Sequence, residues 1–403
     1  MSNAPTSPPK SRRHVLAVGG FAHFVHDGFT DSVYVLLPLW AATFALAHAE
    51  VGILKMVMSG TLAAMQVPAG LLAERYGERL ILALGTALAG LGFILLGWAG
   101  GFVGLATFLC VAGAGCGTQH PLASSVISRA YASSGRRAAL GTYNFTGDLG
   151  KVVVPVAVGA GAAVVGWATS AAAYGLFSIL AAVVVFALLP RHRSTEASAP
   201  TDPGVSASGW GVANWRGYTS LVAIGMVDSS VRVGSLTFLP FLLIEKGAPV
   251  EMLGIALALV FAGGATGKLV CGFVAERVGI LRTVILTEVA TGGLIAAIII
   301  LPLWPALVLL LPFGIALNGT SSVLYGTVGD FVDGDRQARA YGLFYTLGIG
   351  AGALSPVLYG VVSDLHSVPT ALAVVAVSVS AVLPLCQVLR PSLVVVDSGK
   401  ATQ

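Results

Sequence analysis

Residues 70–79 read GLLAERYGER, and residues 272–282 read GFVAERVGILR. The two copies of this phrase are 272 − 70 = 202 residues apart. The same offset carries Pro38 onto Pro240, Gly52 onto Gly254, and Gly117-Thr118 onto Gly319-Thr320. One residue less carries Gly141 onto Gly342, Gly147 onto Gly348, and Pro155 onto Pro356. A series of matches in one register marks an internal duplication, and duplicated helical units are a hallmark of carriers with a site between the repeats near mid-membrane.

On either side of each phrase the chain is apolar over lengths that suit membrane crossing. Of the 403 residues, 56% are hydrophobic and 10% charged, against about 25% charged in a soluble domain. There are too few charges to coat a soluble body of this size. The apolar runs predict spans near 15–44, 51–73, 80–100, 102–130, 138–166, 168–189, 216–244, 250–274, 282–302, 304–331, 339–363 and 368–390. Each is long enough to cross about 30 Å of hydrocarbon as a helix. None shows the short alternation of a membrane barrel. The fold class is therefore an all-α membrane protein of about twelve transmembrane helices, as two six-helix bundles related by a pseudo-two-fold axis. The 51 glycines suit close packing of membrane helices, as at Gly113/Gly117, Gly263/Gly267 and Gly348/Gly352.

Alternate loops carry the bases: Arg75 and Arg79; Arg129, Arg136 and Arg137; Arg191, Arg193 and Arg216; Arg277 and Arg282; Arg336 and Arg339; then Arg390 and Lys400. The opposite loops have almost none apart from Lys246. Positive charge marks the cytoplasmic side, so both termini are expected there, in a bacterial inner membrane. The domains expected are a cytoplasmic tail 1–14, an N-terminal bundle 15–189, a Pro/Ser/Ala-rich linker 190–215, a C-terminal bundle 216–390, and a cytoplasmic tail 391–403. Only the linker's tether is expected to matter. The net charge of +4 lies mostly at one face and implies no nucleic-acid partner. Cys110, Cys116, Cys271 and Cys386 form no CxxC and no metal spacing, and are expected to be free thiols. No cofactor or metal is implied.

The repeated phrase resembles the loop signature of the major facilitator superfamily, G-x-x-x-D-R-x-G-R-R, between spans two and three. Gly70, Glu74, Arg75, Gly77 and Arg79 carry it, and Gly272, Glu276, Arg277, Gly279 and Arg282 repeat it between spans eight and nine. Glutamate replaces aspartate in both copies. The resemblance implies that these are gating loops. Their acid caps a facing helix N-terminus and their arginines pair with acids such as Asp330. Gly70 and Gly272 are expected to let the supporting helix approach its neighbour, so leucine at either position should impair transport. Within the superfamily the chain is similar to fosmidomycin-resistance exporters, through His23…Asp27, the run Gly113-Gly115-His120-Pro121, and the glycine/proline frame of span five. It departs from them at Gly147-Asp148-Leu149-Gly150-Lys151, where two charges are added.

Ionisable groups inside a span are costly and usually functional. In span one, His23, Asp27 and Asp31 share a helical stripe that Tyr34 continues, with His26 beside it. Burial disfavours a bare charge, so Asp27 or Asp31 is a candidate to exchange protons. The alternative is a structural pairing with Lys151 or Arg232. Asp148 and Lys151 share a face of span five, and Asp228 and Arg232 share one of span seven. Arg232 offers the planar fork that suits a carboxylate or phosphonate. His120, before the Pro121 kink, is a candidate substrate contact. Lys55 and Lys268 can snorkel, and Glu288 has no partner evident from sequence.

No HExxH, GxSxG or Walker pattern occurs, so neither an enzyme nor an ATP-driven pump is expected. The reading is a secondary carrier working by alternating access as a functional monomer, with a small molecule, protons and the bilayer as partners. Proton-coupled export of an antibiotic, metabolite or siderophore is the first expectation. Proton-coupled uptake of a small organic anion is the alternative.

Overall fold

The computed structural model describes residues 9–131, 134–190, 212–332 and 337–400. Most of the expected linker lies outside the described residues, as do residues 1–8 of the first tail, and Arg191, Arg193 and Arg336. Every long element among the described residues is helical; the one pairing of extended backbone is an isolated bridge between Val212 and Val332.

Helix α1 runs Pro9–Phe44, α2 His48–Tyr76, α3 Glu78–Leu95, α4 Phe102–Cys116, α5 Gln119–Ala130, α6 Arg136–Val165 and α7 Trp167–Leu188. The second series is α8 Trp215–Glu245, α9 Val250–Val278, α10 Ile280–Ile300, α11 Leu303–Thr327, α12 Gln337–Leu365, α13 Val368–Ser378 and α14 Val382–Lys400. Among the described residues, eleven spans, with α4–α5 and α13–α14 each counted as one, are long and apolar enough to cross a membrane. Helix α1 is 36 residues long, but its histidines and aspartates lower its hydropathy. With α1, the spans make two sets of six.

Three boundaries differ from expectation. The first helix already begins at Pro9, inside the expected tail. Helix α14 runs on to Lys400, through the start of the other expected tail. The fourth span is broken at Gly117-Thr118. Pro121 lacks an N–H, and its ring crowds the carbonyl four residues back, at Gly117. The break therefore falls where the helix would otherwise need that bond.

The chain divides into two compact units. One comprises 1–45, 57–201 and 250–258; the other comprises 46–56, 202–249 and 259–403. In the first unit α1 packs along α6, and α3 along α7 and α4. Val15, Val18, Ala22, Ile127, Tyr143 and Val185 belong to its buried core. In the second unit α8 packs along α12, and α10 along α11. Its core includes Tyr218, Leu221, Val284, Leu324, Phe331 and Leu389.

Each unit thus takes a helix end from the other half of the sequence. In the first, a side chain at Gly254 would overlap the carbonyl of Pro155; in the second, one at Gly52 would overlap that of Pro356. Under the duplication these are one contact made twice. Gly113, Gly117, Gly263 and Gly267 likewise lie against neighbouring backbone, whereas Gly348 has only ordinary van der Waals contact.

Candidate functional site

The first unit gathers four of the expected residues around one carboxylate. Asp27, on α1, is buried, with 7% of its side chain accessible. His23 Nε2 lies 3.2 Å from Asp27 Oδ2, one helical turn back. Lys151 Nζ of α6 lies 3.3 Å from the same oxygen, and His120 Nε2 of α5 lies 3.7 Å from Oδ1. Helix α1 can come this close to α6 because position 147 is glycine: a Cβ there would overlap both His23 and Asp27. At Gly150 it would strike the carbonyl of Phe24.

The protons of this cluster follow from its hydrogen bonds. His23 Nδ1 is 2.9 Å from the carbonyl of Tyr143, which can only accept. Nδ1 therefore carries a hydrogen, and in a neutral imidazole Nε2 would be a bare lone pair. A lone pair facing a carboxylate is repulsive, so their approach calls for a proton on one or the other. His23 is stacked on Tyr143, with ring centroids 4.2 Å apart, and meets His120 edge-on at 5.1 Å. Gln119 Nε2 donates to the Tyr143 hydroxyl at 2.8 Å. Tyr143 and Gln119 thus frame the site. Neither carries a charge, so neither stood out in the sequence.

His26 turns away from this cluster. Its Nε2 donates to Thr86 Oγ1 of α3 at 2.8 Å, since that hydroxyl donates onward to the carbonyl of Leu82. Asp31 is buried one turn beyond Asp27 and acts electrostatically on Lys151. Tyr34 is buried in the interior. Asp148 Oδ1 lies 3.7 Å from Lys151 Nζ, so the amine is shared between two carboxylates. His23, Asp27 and His120 present ligand atoms within 4.8 Å of one another, close enough to surround a metal ion. The Lys151 ammonium on the same carboxylate opposes a second cation, so the donor set suits protons and anions better.

In the second unit Asp228 and Glu288 are both buried and act electrostatically on each other. Glu288, without an evident partner in the sequence, therefore has one. Arg232 Nη1 lies 4.0 Å from Asp228 Oδ2. Nearby, the Thr320 hydroxyl is 2.7 Å from that of Thr287. Lys55 is buried rather than snorkelled.

The signature loops carry a clear backbone requirement. Gly77 and Gly279 immediately precede α3 and α10 with φ of 90° and 93°, where a side chain is strained. Gly70 and Gly272 do not need close approach: a Cβ at either would meet nothing within 4 Å. That corrects the expectation for leucine there, because these positions face open space. Glu74, Arg75, Glu276, Arg277 and Arg282 are exposed. Arg79 reaches the carbonyl of Leu189 and lies over the Phe186 ring. The buried acid of the first loop is Glu78, which the sequence reading passed over; it pairs with Arg129 of α5.

The sequence profile of the Major Facilitator Superfamily matches residues 19–356 and 219–400. The chain belongs to the Major Facilitator Superfamily. It is therefore a multi-pass membrane transporter of small molecules and not an enzyme. Two relatives from Cupriavidus are each 24% identical to it. The "Probable 4-methylmuconolactone transporter" of C. pinatubonensis aligns over 84% of this chain and 81% of its own length. The "Probable sulfoacetate transporter SauU" of C. necator aligns over 87% of each. The fold is also that of a bacterial homologue of the human lysosomal transporter Spinster, in an inward-facing, unoccupied form. The TM-score is 0.80 at 17% identity, over 95% of this chain and 97% of that one. The nucleoside transporter NupG superposes with a TM-score of 0.76 at 12% identity, over 93% and 98% of the two chains.

Proposed function

We propose that this superfamily member carries a small organic anion together with protons, using Asp27 as the internal competitor of its substrate. The observation behind the reading is one buried carboxylate held by His23, Lys151 and His120 at 3.2, 3.3 and 3.7 Å. About a quarter of Lys151 is accessible, at 27%. An ammonium in a span is tolerated where it meets water rather than lipid, so Lys151 can meet a solute. While Asp27 is ionised it occupies Lys151. A proton delivered through His23 neutralises Asp27 and frees the amine for a carboxylate or sulfonate. Anion and proton then bind together, which is the logic of symport and favours uptake down a proton gradient.

The relatives' names support this reading, since sulfoacetate carries two anionic groups. The likeness to fosmidomycin-resistance exporters, carried by His23…Asp27 and Gly113–Pro121, favours export instead. Transport in proteoliposomes separates the two. With an inward proton gradient, labelled sulfoacetate or 4-methylmuconolactone should accumulate, and an uncoupler should abolish accumulation. Accumulation only under an outward gradient would overturn uptake. No saturable flux of any organic acid tested would overturn the anion reading. In this reading the carrier works as a monomer, with both termini and both signature loops in the cytoplasm.

A further inference from the structure

We infer that the second unit holds a subsite for a ring-bearing organic acid, with Arg232 on the carboxylate and Tyr325 and Tyr345 against the ring. The inference rests on the anion carrier proposed above and names the chemical class of its substrate. Tyr325, near the end of α11, has its ring centroid 4.8 Å from that of Tyr341 and 5.0 Å from that of Tyr345, both on α12. Tyr345 in turn meets Phe344 at 6.3 Å. Aromatic rings gain from burial, yet Tyr325 and Tyr345 stay 41% and 48% exposed. The rings hold one another in place while part of each remains open to a ligand.

The open face of α12 is the one turned to another helix of the same unit. Tyr345 and Pro356 are 356 − 345 = 11 residues apart, about three helical turns, so they share a face. That face looks toward α2, since a side chain at Gly52 would overlap the Pro356 carbonyl. The part of α2 that belongs to this unit ends at Met56. Within the unit the face is therefore left uncovered at the level of Tyr345.

Arg232 stands beyond the rings on the neighbouring helix. Helices α8 and α12 run side by side: a side chain at Gly225 would press on the Phe344 ring, and one at Gly352 would strike Ser229. Ser355 Oγ donates to the carbonyl of Ser230 at 3.0 Å. Arg232 follows Gly225 by two turns and leans back toward Asp228, 4.0 Å away. Its guanidinium is thus roughly 5–10 Å further along the axis than the rings, and it acts electrostatically on Tyr345. That reach matches a ring whose carboxylate is attached directly or through one or two carbons. The ion pair with Asp228 is long and 27% of Arg232 is accessible, so its planar fork keeps donors for a carboxylate.

The duplication supplies an independent observation. The offset of 202 residues maps Arg232 onto Thr30 and Tyr325 onto Ala123; one residue less maps Tyr341 onto Leu140 and Tyr345 onto Asn144. Phe344 maps onto Tyr143 and Gly225 onto His23 in the same way. Tyr143 stacks on His23 just as Phe344 covers Gly225. The fold thus keeps an aromatic where it packs two helices together. It does without the arginine and the three tyrosines in the first unit, so these four are additions to the scaffold.

The test is calorimetric titration of the purified full-length carrier with phenylacetate, acetate and benzyl alcohol. Wild type should bind phenylacetate roughly tenfold more tightly than acetate, the worth of a stacked ring, and benzyl alcohol least. Tyr325→Ala with Tyr345→Ala should bring the two acids to near-equal affinity, whereas Tyr345→Phe alone should keep the preference. Arg232→Gln should weaken both acids. Equal affinity of wild type for phenylacetate and acetate overturns the inference, and so does a preference that survives in the double variant. If that variant does not fold, Tyr325→Ala with Tyr345→Asn installs the first unit's residues; a preference surviving in that folded protein is equally decisive. Absence of binding by all three compounds also overturns it. Failure of the anion reading would show differently: benzyl alcohol would bind as tightly as phenylacetate and acetate not at all, which removes the role given to Arg232.

Discussion

Asp27 has a fallback that decides what its removal does. Breaking a buried ion pair by deleting one partner costs about 3–5 kcal/mol when the other charge is stranded. Lys151 would not be stranded, because Asp148 lies 3.7 Å from its amine and a quarter of the lysine is accessible. Asp27→Asn should therefore express near wild-type levels, bind its anion without requiring a proton, and fail to accumulate it against a gradient. Poor folding rescued by an added Lys151→Met would show that the pair is structural. Gly147→Ala is a steric companion test: its methyl overlaps His23 and Asp27, and overpacking costs roughly 1–3 kcal/mol. Transport should fall sharply, while Gly141→Ala, which meets nothing within 4 Å, should be silent in the same flux assay. The His23, Asp27, His120 and Lys151 candidates were legible because charges in a span are rare and helical spacing aligns them. Glu288 was not, since its partner is 60 residues away in sequence and only packing of α8 on α10 brings them together.

Among the helices, the signature loop separates into positions fixed by backbone and positions that are not. Gly77 holds φ at 90° just before α3. A side chain in such a conformation costs about 1–3 kcal/mol. Gly77→Ala should lower the unfolding temperature of the detergent-purified carrier, whereas Gly70→Leu should leave it unchanged; the reverse order would refute the assignment. The spans themselves were readable from hydropathy. Their ends were not: α14 continues past Arg390 through Pro391 to Lys400, in a segment where composition suggested a tail. The break before His120 was foreshadowed by Pro121 but placed by the carbonyl that its ring displaces.

Across the whole molecule, the end of α2 remote from the signature loop is tied down by one carboxylate. Asp364, at the end of α12, accepts from the backbone N–H groups of His48 and Ala49 at 2.7 and 2.8 Å. It also lies 3.4 Å from His48 Nδ1, while Ser363 Oγ lies 3.0 Å from the same nitrogen. A carboxylate capping free amides at a helix N-terminus contributes about 0.5–2 kcal/mol. We predict that opening of the carrier at this end breaks the cap, so Asp364→Ala should favour the state open there. The check is labelling of a cysteine placed at Ala47 in a cysteine-free background, which should accelerate; an unchanged rate would show that the cap bears no part of the gate.

The exchanged helix ends also set an order of birth. Residues 1–201 leave the ribosome before 250–258 exist, yet the first unit includes that later segment, with Gly254 lying against Pro155. The earlier-made bundle therefore waits, with a vacancy beside Pro155, until α9 has been synthesised. A gene cut within the linker would yield two polypeptides that each lack part of a unit. Neither should mature alone, and co-expression should restore both, because each fragment holds the piece that completes the other.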